Sequence, residues 1–234
     1  MERRNFLRTC ALAGGAIALA SRESSLADVA PHYYTKTRLV DIHGDPIRIG
    51  ALPTDTNFVF HYPYAATPCF LLKLDRTVAP ANDLRREDGA TYAWQGGVGP
   101  RRNLVAFSAI CAHKLAYPTR DVSFIRFQKD RSATSSGNVI HCCADHSIYD
   151  PTTGARVIAG PAPQPLAAIV LAHDAARDEL FALGTIGPEQ FNAFFVKYDV
   201  RLSLEYGGNR GRTPVTDTAV VRELENYCKT TIRC

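Results

Sequence analysis

The sequence predicts an all-β fold, built as an antiparallel barrel or sandwich. Short runs of β-branched and aromatic residues recur along the chain, and Gly, Pro, Asn and Asp interrupt them at close spacing. The hydrophobic content of 46% and the charged content of 21% are ordinary for a globular protein. The 234 residues are enough for one domain with a good core and an elaborated tail.

Nine predicted strands precede residue 187. They are 38–42, 46–49, 58–61, 70–74, 104–109, 123–127, 139–141, 169–172 and 179–183. We interpret the charged, glycine-containing segment 80–99 as a surface excursion, in which Trp94 packs over a loop. We place the main domain at 31–186.

The pattern changes from about Gly187, and 187–234 is predicted to be a C-terminal α+β extension. A short helix opens at 188–191, 200–206 is predicted to be a strand, and 216–229 is predicted to be a helix. We expect this extension to cover the barrel or to dock onto a neighbouring subunit.

Two short motifs predict a metal centre. They are Cys111-Ala-His113 and Cys143-Ala-Asp-His146, each with one sulfur and one nitrogen ligand at turn spacing. Two cysteines and two histidines suit either a tetrahedral zinc or a two-iron cluster in which one iron takes both sulfurs and the other both nitrogens. Ordinary zinc modules tend to pair like ligands within one turn, whereas each turn here mixes them.

The mixed half-sites resemble the Rieske motif. The resemblance continues through Ser147 and Tyr149 to the Gly-Pro-Ala-Pro segment that begins at Gly160, and it spans roughly 104–166. It implies a [2Fe-2S] cluster and a Rieske-like β barrel with a cluster-binding subdomain. The resemblance also assigns roles to six residues: Cys111 and Cys143 bind the buried iron, His113 and His146 bind the solvent-facing iron, and Ser147 and Tyr149 donate hydrogen bonds to cluster sulfurs.

The chain departs from the family pattern at several positions. Ala116 and Asp145 stand where high-potential members carry the cysteines of a loop disulfide, and Lys114 stands where respiratory members carry leucine. The glycine expected directly after the second histidine is missing, so Ser147 follows His146 at once. The missing loop disulfide and the acidic residue predict a lower potential than a quinol-oxidising subunit usually needs.

Alternative ligands remain. Cys142 could pair with His146 in a C-x-x-x-H arrangement, and Cys142 is otherwise a small buried residue. His141 is adjacent and could compete as a ligand. The same four ligands as in the Rieske assignment could also hold zinc.

The resemblance implies an electron-transfer subunit of an oxidoreductase complex, not a stand-alone enzyme. Expected partners are a cytochrome or a molybdoenzyme, with quinol as a further candidate, as in the iron-sulfur subunit of quinol:cytochrome c reductases or the small subunit of molybdenum oxidoreductases. His113 and His146 would be the exit points for electrons. The alternatives are a Rieske ferredoxin serving an oxygenase and a zinc-stabilised binding module.

The amino terminus predicts export. Residues 2–8 resemble a twin-arginine signal, and the apolar run 9–20 that follows is too short to span a bilayer. We interpret 1–30 as a signal or an N-terminal anchor, which predicts a periplasmic protein or one at the periplasmic face of the inner membrane. Such a signal carries folded proteins, which suits a cluster inserted before export.

Charge and cysteine content add two expectations. The formal net charge of +4 does not suggest a nucleic-acid partner. Cys228 and Cys234 are candidates for a disulfide that staples the C-terminus in an oxidising compartment.

Overall fold

The computed structural model of the protein describes residues 29–234, so the predicted export segment lies outside the described residues except for its last two positions. Its strands are β1 His32–Val40, β2 Phe58–His61, β3 Pro68–Lys73, β4 Ala81–Arg85, β5 Thr91–Trp94, β6 Leu104–Ser108, β7 Val122–Ser123, β8 Ile125–Gln128, β9 Val139–Cys142, β10 Ser147–Asp150, β11 Arg156–Ala159, β12 Ala168–Asp174, β13 Glu179–Ile186, β14 Thr218–Val220, β15 Arg222–Glu223 and β16 Thr230–Thr231. Its helices are α1 Phe191–Lys197, α2 Asp199–Tyr206 and α3 Leu224–Tyr227. The predicted fold class, mainly antiparallel β, is confirmed.

The main sheet has eight strands in the order β14-β1-β13-β12-β6-β3-β2-β15. Its two outer strands, β14 and β15, are consecutive in the chain with only Val221 between them, and the Val221 N–H donates to the Val40 carbonyl at 2.7 Å. The sheet therefore curls until its edges almost meet, which leaves little free edge for pairing with another chain.

The central strands β3 and β6 are buried on both faces. Phe70 and Phe107 belong to the hydrophobic cluster beneath the second sheet. Their chain neighbours Leu71 and Ala106 belong to the cluster inside the barrel. Side chains of a strand alternate between its two faces, so these two strands form the layer shared by both cores.

The second sheet has four antiparallel strands in the order β11-β10-β9-β8. All four lie in the chain between β6 and β12, and β6 pairs with β12 in the main sheet through Phe107 and Ala168. The second sheet is thus a subdomain inserted between two neighbouring barrel strands.

Four local predictions differ from the structure. The predicted strand 46–49 has only an isolated bridge from Pro46 to Val40, and a short 3-10 helix begins at Ile49. The excursion 80–99 contains the hairpin of β4 and β5, in which Trp94 is buried. The predicted strand 200–206 is helix α2, whose side chains at spacing four, Tyr198, Leu202 and Tyr206, pack together with α1. The predicted helix 216–229 is β14, β15 and the short α3, because the buried Ala219 and Val221 alternate with exposed neighbours. No helix within residues 29–234 is long and apolar enough to cross a lipid bilayer.

His61, at the end of β2, is expected to make stability depend on pH. Its Nε2 lies 3.2 Å from the hydroxyl of Tyr227. Burial, with the positive charges of Arg120 and Arg222 acting in the same direction, lowers the pKa of His61 from 6.5 to about 4. Acidification below pH 6.5 therefore protonates this imidazole in the unfolded chain before it does so in the folded one, and folding stability falls as the pH drops towards 4.

When the pH falls from 7 to 5, we expect the titration of His61 to lower the free energy of unfolding by about 2 kcal/mol. His61→Gln keeps an acceptor for the Tyr227 hydroxyl but does not titrate. Urea unfolding followed by the fluorescence of the buried Trp94 should show a smaller pH-dependent loss in the variant. Equal losses in the two proteins would contradict the assignment.

Candidate metal centre

The first loop of the site, residues 111–116, follows the buried strand β6. The Cys111 N–H donates to the Ala116 carbonyl at 2.8 Å, and the Leu115 N–H donates back to the Cys111 carbonyl at 3.0 Å. This tight turn directs the two potential ligands to different depths, because Cys111 is fully buried whereas the His113 side chain is 35% exposed.

The second loop, residues 143–146, joins β9 to β10. Cys142 ends β9 and pairs with Ser147 at the start of β10. The His146 N–H donates to the Cys142 carbonyl at 2.7 Å, and His146 has a positive φ of 59°. A left-handed backbone is uncommon for a residue other than glycine, so this loop is tightly constrained at His146.

The two loops bring together four potential ligands, which we call the metal pocket: Cys111, His113, Cys142 and Asp145. The ligand atoms of Cys111, Cys142 and Asp145 lie within 4.8 Å of one another. Asp145 Oδ2 is 3.2 Å from Cys111 Sγ and 3.1 Å from His113 Nδ1. His113 does not belong to the group of three, and it joins the pocket through its contact with Asp145.

The structure places the predicted second half-site differently. Cys143 forms a disulfide with Cys234, and the exposed His146 lies in a separate group with His141 and Cys234. Neither group of potential ligands found within residues 29–234 contains the predicted set as a whole. The disulfide consumes the Cys143 thiol, because an oxidised sulfur cannot act as a thiolate ligand.

The predicted disulfide between Cys228 and Cys234 is wrong. Cys228 is a buried free cysteine at the end of α3. The chain then continues as β16, which pairs in parallel with β7, and the Ile232 N–H donates to the Ser123 carbonyl at 2.8 Å. This pairing carries Cys234 away from Cys228 and onto the second loop.

The C-terminal extension therefore holds both loops, a role that no sequence motif indicated. Gln190 donates from Nε2 to the Ala112 carbonyl at 2.9 Å, and Phe194 of α1 packs edge-on against Tyr117, with 4.8 Å between ring centroids. The disulfide of Cys234 fastens the second loop. In the sequence, Cys234 indicated that the C-terminus could be cross-linked, but nothing in the tail indicated that its partner is Cys143.

Two hydroxyl groups predicted as donors also lie at the pocket. The Tyr149 oxygen accepts a hydrogen bond from the Ala112 N–H at 3.0 Å and lies 3.4 Å from Cys111 Sγ. Since the phenol oxygen already accepts, its own hydrogen is available for the sulfur. The Ser147 Oγ is buried and has no hydrogen-bond partner within residues 29–234, which is costly unless a further group meets it.

The pKa values of the two pocket thiols shift in opposite directions. A hydrogen bond from the Cys142 thiol lowers the pKa of Cys111, against the opposing effect of burial, and Tyr149 adds to the lowering. The same hydrogen bond, together with burial, raises the pKa of Cys142. Metal binding displaces such a proton, because both sulfurs bind as thiolates.

Asp145 is ionised despite its burial. Burial raises the pKa of its carboxyl group, but the Ser147 N–H and the hydrogen-bonding Cys111 side chain lower it by more, so the net shift is downward. The pocket thus contains a carboxylate, an imidazole and two thiols with few cations to balance them. Two buried sulfurs beside the partly exposed imidazole of His113 fit an iron-sulfur group with unequal ends.

A single tetrahedral zinc fits less well. With bonds of about 2.0 to 2.3 Å, four zinc ligands lie within roughly 4 Å of one another. Only three of the four pocket residues form a group, even at 4.8 Å. The four ligand atoms, as they lie, therefore do not surround a single tetrahedral ion.

The chain was compared with known protein families and with solved structures. No family model matches the chain. Among solved structures, the chain is similar to the soluble domain of the Rieske protein II (soxF) from Sulfolobus acidocaldarius. The sequences are 26% identical, the match covers 65% of this chain and 78% of that chain, and the TM-score is 0.48.

Proposed function

We propose that the protein is a one-electron carrier that binds a Rieske-type [2Fe-2S] cluster in the metal pocket. The observation that supports this most is the pairing of two buried thiols, Cys111 and Cys142, beside an exposed imidazole, His113, and a carboxylate. When bound, such a cluster takes up and releases one electron at a time.

The residues around the pocket have different proposed roles. Cys111 and Cys142 would bind the cluster from the buried side, where the hydrophobic cluster that contains them both excludes water. His113 binds from the solvent side, and its exposed ring gives electrons a short path to a docked protein. The Tyr149 hydroxyl lies 3.4 Å from Cys111 Sγ, where a hydrogen bond to sulfur would stabilise the more negative reduced state. The buried Ser147 hydroxyl is proposed as a second donor.

We further propose that the carrier works in the periplasm or at the periplasmic face of the inner membrane, as a subunit of an oxidoreductase with a cytochrome or a molybdoenzyme as partner. The resemblance of residues 2–8 to a twin-arginine signal supports export, and the Cys143–Cys234 disulfide suits an oxidising compartment. Replacing both Arg3 and Arg4 by lysine should keep the protein in the cytoplasm. Export of that variant at the wild-type rate would contradict this location.

The cluster itself is tested by metal analysis. Purified protein should be reddish-brown, contain two irons and two acid-labile sulfides per chain, and give a rhombic EPR signal after reduction. A colourless protein with one zinc per chain would favour the zinc-stabilised binding module.

Tyr149 is expected to tune the reduction potential. Tyr149→Phe removes the hydrogen bond to Cys111 Sγ, which strengthens as the sulfur gains negative charge. If this hydrogen bond stabilises the reduced cluster over the oxidised one by about 1 kcal/mol, its loss lowers the reduction potential by about 40 mV. The iron content should not change. Spectroelectrochemical titration measures the shift.

Tyr117→Phe is the matched control. The Tyr117 hydroxyl is buried and has no hydrogen-bond partner within residues 29–234, so its removal should leave the potential unchanged. Equal potentials in wild type and Tyr149→Phe would show that the phenol does not act on the cluster.

A further inference from the structure

Asp145 places a carboxylate inside the metal pocket. Its side chain is only 2% exposed, and burial of an ionised carboxylate is costly unless positive charge compensates it. Its one ion-pair partner within residues 29–234 is His113, which is charged only when protonated. Its hydrogen-bond partners are the Ser147 N–H, the Cys111 thiol and the His113 ring, and two of these three are potential metal ligands.

The carboxylate is oriented as a ligand would be. The Ser147 N–H donates to Oδ1 at 3.0 Å and fixes the plane of the group. This leaves Oδ2 facing the pocket, 3.1 Å from His113 Nδ1 and 3.2 Å from Cys111 Sγ. Oδ2 thus makes hydrogen bonds to two potential ligands, and a metal bound here would take the place of the shared protons.

His146 faces elsewhere. Its ring is exposed and packs edge-on against His141, with 5.7 Å between ring centroids, and its nearest potential ligand group includes Cys234 and not Cys111. The disulfide of Cys143 with Cys234 holds this side of the loop away from the pocket. A shift of one residue thus moves both second-loop ligands, from Cys143 and His146 to Cys142 and Asp145, and keeps the C-x-x spacing.

We infer that Asp145, and not His146, is the fourth ligand of the cluster, so that the solvent-facing iron is bound by one imidazole and one carboxylate. This inference rests on the proposed function. Carboxylate oxygen is an ordinary ligand of non-haem iron. The site then carries one more negative charge than a site with two neutral imidazoles, which lowers the potential.

Pulsed EPR of the reduced protein tests the inference without any substitution. In protein labelled with ¹⁵N only at histidine, strong hyperfine coupling should arise from a single imidazole, that of His113. Asp145→His should retain the cluster, show two strongly coupled imidazoles and have a higher midpoint potential. Two strongly coupled imidazoles in the wild type would overturn the inference and leave the proposed function standing.

Two further variants separate the candidate ligands. Asp145→Ala should lose most of its iron and its EPR signal, whereas His146→Ala should keep both at wild-type levels. Loss of the cluster in His146→Ala, with retention in Asp145→Ala, would overturn the assignment. A wild-type protein without any iron-sulfur signal would instead overturn the proposed function and this inference with it.

Discussion

Cys142→Ser is expected to abolish the iron-sulfur spectrum, whereas loss of the neighbouring Cys143 is expected to leave it in place. Cys142 is fully buried within the same hydrophobic cluster as Cys111, and its sulfur lies in the metal pocket. Cys143 contributes its sulfur to a disulfide. Iron and sulfide analysis should give near-zero content for Cys142→Ser.

The comparison needs a variant of Cys143 that leaves no unpaired thiol. Replacing Cys143 alone would leave Cys234 as a free thiol that could bind metal. Cys143→Ser/Cys234→Ser removes both sulfurs of the disulfide and avoids this. This double variant should keep two irons per chain and the wild-type spectrum. A colourless double variant beside a coloured Cys142→Ser would show that Cys143 is the ligand.

The same double variant is expected to be markedly less stable. The disulfide joins residues 91 positions apart, and a cross-link that closes so long a loop restricts the unfolded chain strongly. Chain entropy alone gives about 4 to 5 kcal/mol for such a loop, and measured losses are commonly about 2 to 4 kcal/mol. We expect a loss within the measured range in urea unfolding.

A reductant provides the control for this prediction. It should lower the stability of the wild type towards that of the double variant and leave the double variant unchanged. If the variant and the wild type unfold at the same urea concentration under oxidising conditions, the disulfide is absent in solution or contributes nothing.

Much of the barrel could be predicted from the sequence, because its strands carry the signals on which such predictions depend. Phe58–His61 is a strand with the predicted bounds, and the runs that became β6, β12 and β13 were also recognised. The hairpin of β4 and β5 was missed because charged residues and glycine mask its alternation. Helix α2 was missed because Val200, Leu202 and Leu204 alternate as in a strand, although Val200 and Leu204 are 74% and 83% exposed.

The half-sites show where spacing alone is insufficient. The C-x-x-H pattern selects Cys143, but Cys142 lies three residues before an acid that can also bind metal. Strand alternation held the missing information: Ile140 and Cys142 both face the core cluster beneath the second sheet, so the next residue faces away from it. The resemblance predicts a glycine directly after the second histidine ligand, and glycine adopts a left-handed backbone easily. His146 has this left-handed backbone. It therefore occupies the place of the glycine, which moves the ligand position to Asp145, one residue earlier.

⁵⁷Fe Mössbauer spectroscopy tests the central claim most directly, namely that two irons lie between the loops with thiolates at one end and nitrogen and oxygen at the other. The oxidised protein should give two unequal doublets of equal area, one from iron with sulfur ligands only and one from iron bound by nitrogen and oxygen. After reduction, only the second doublet should shift to ferrous values. One doublet for both irons, or protein purified with zinc and no iron, would contradict the account.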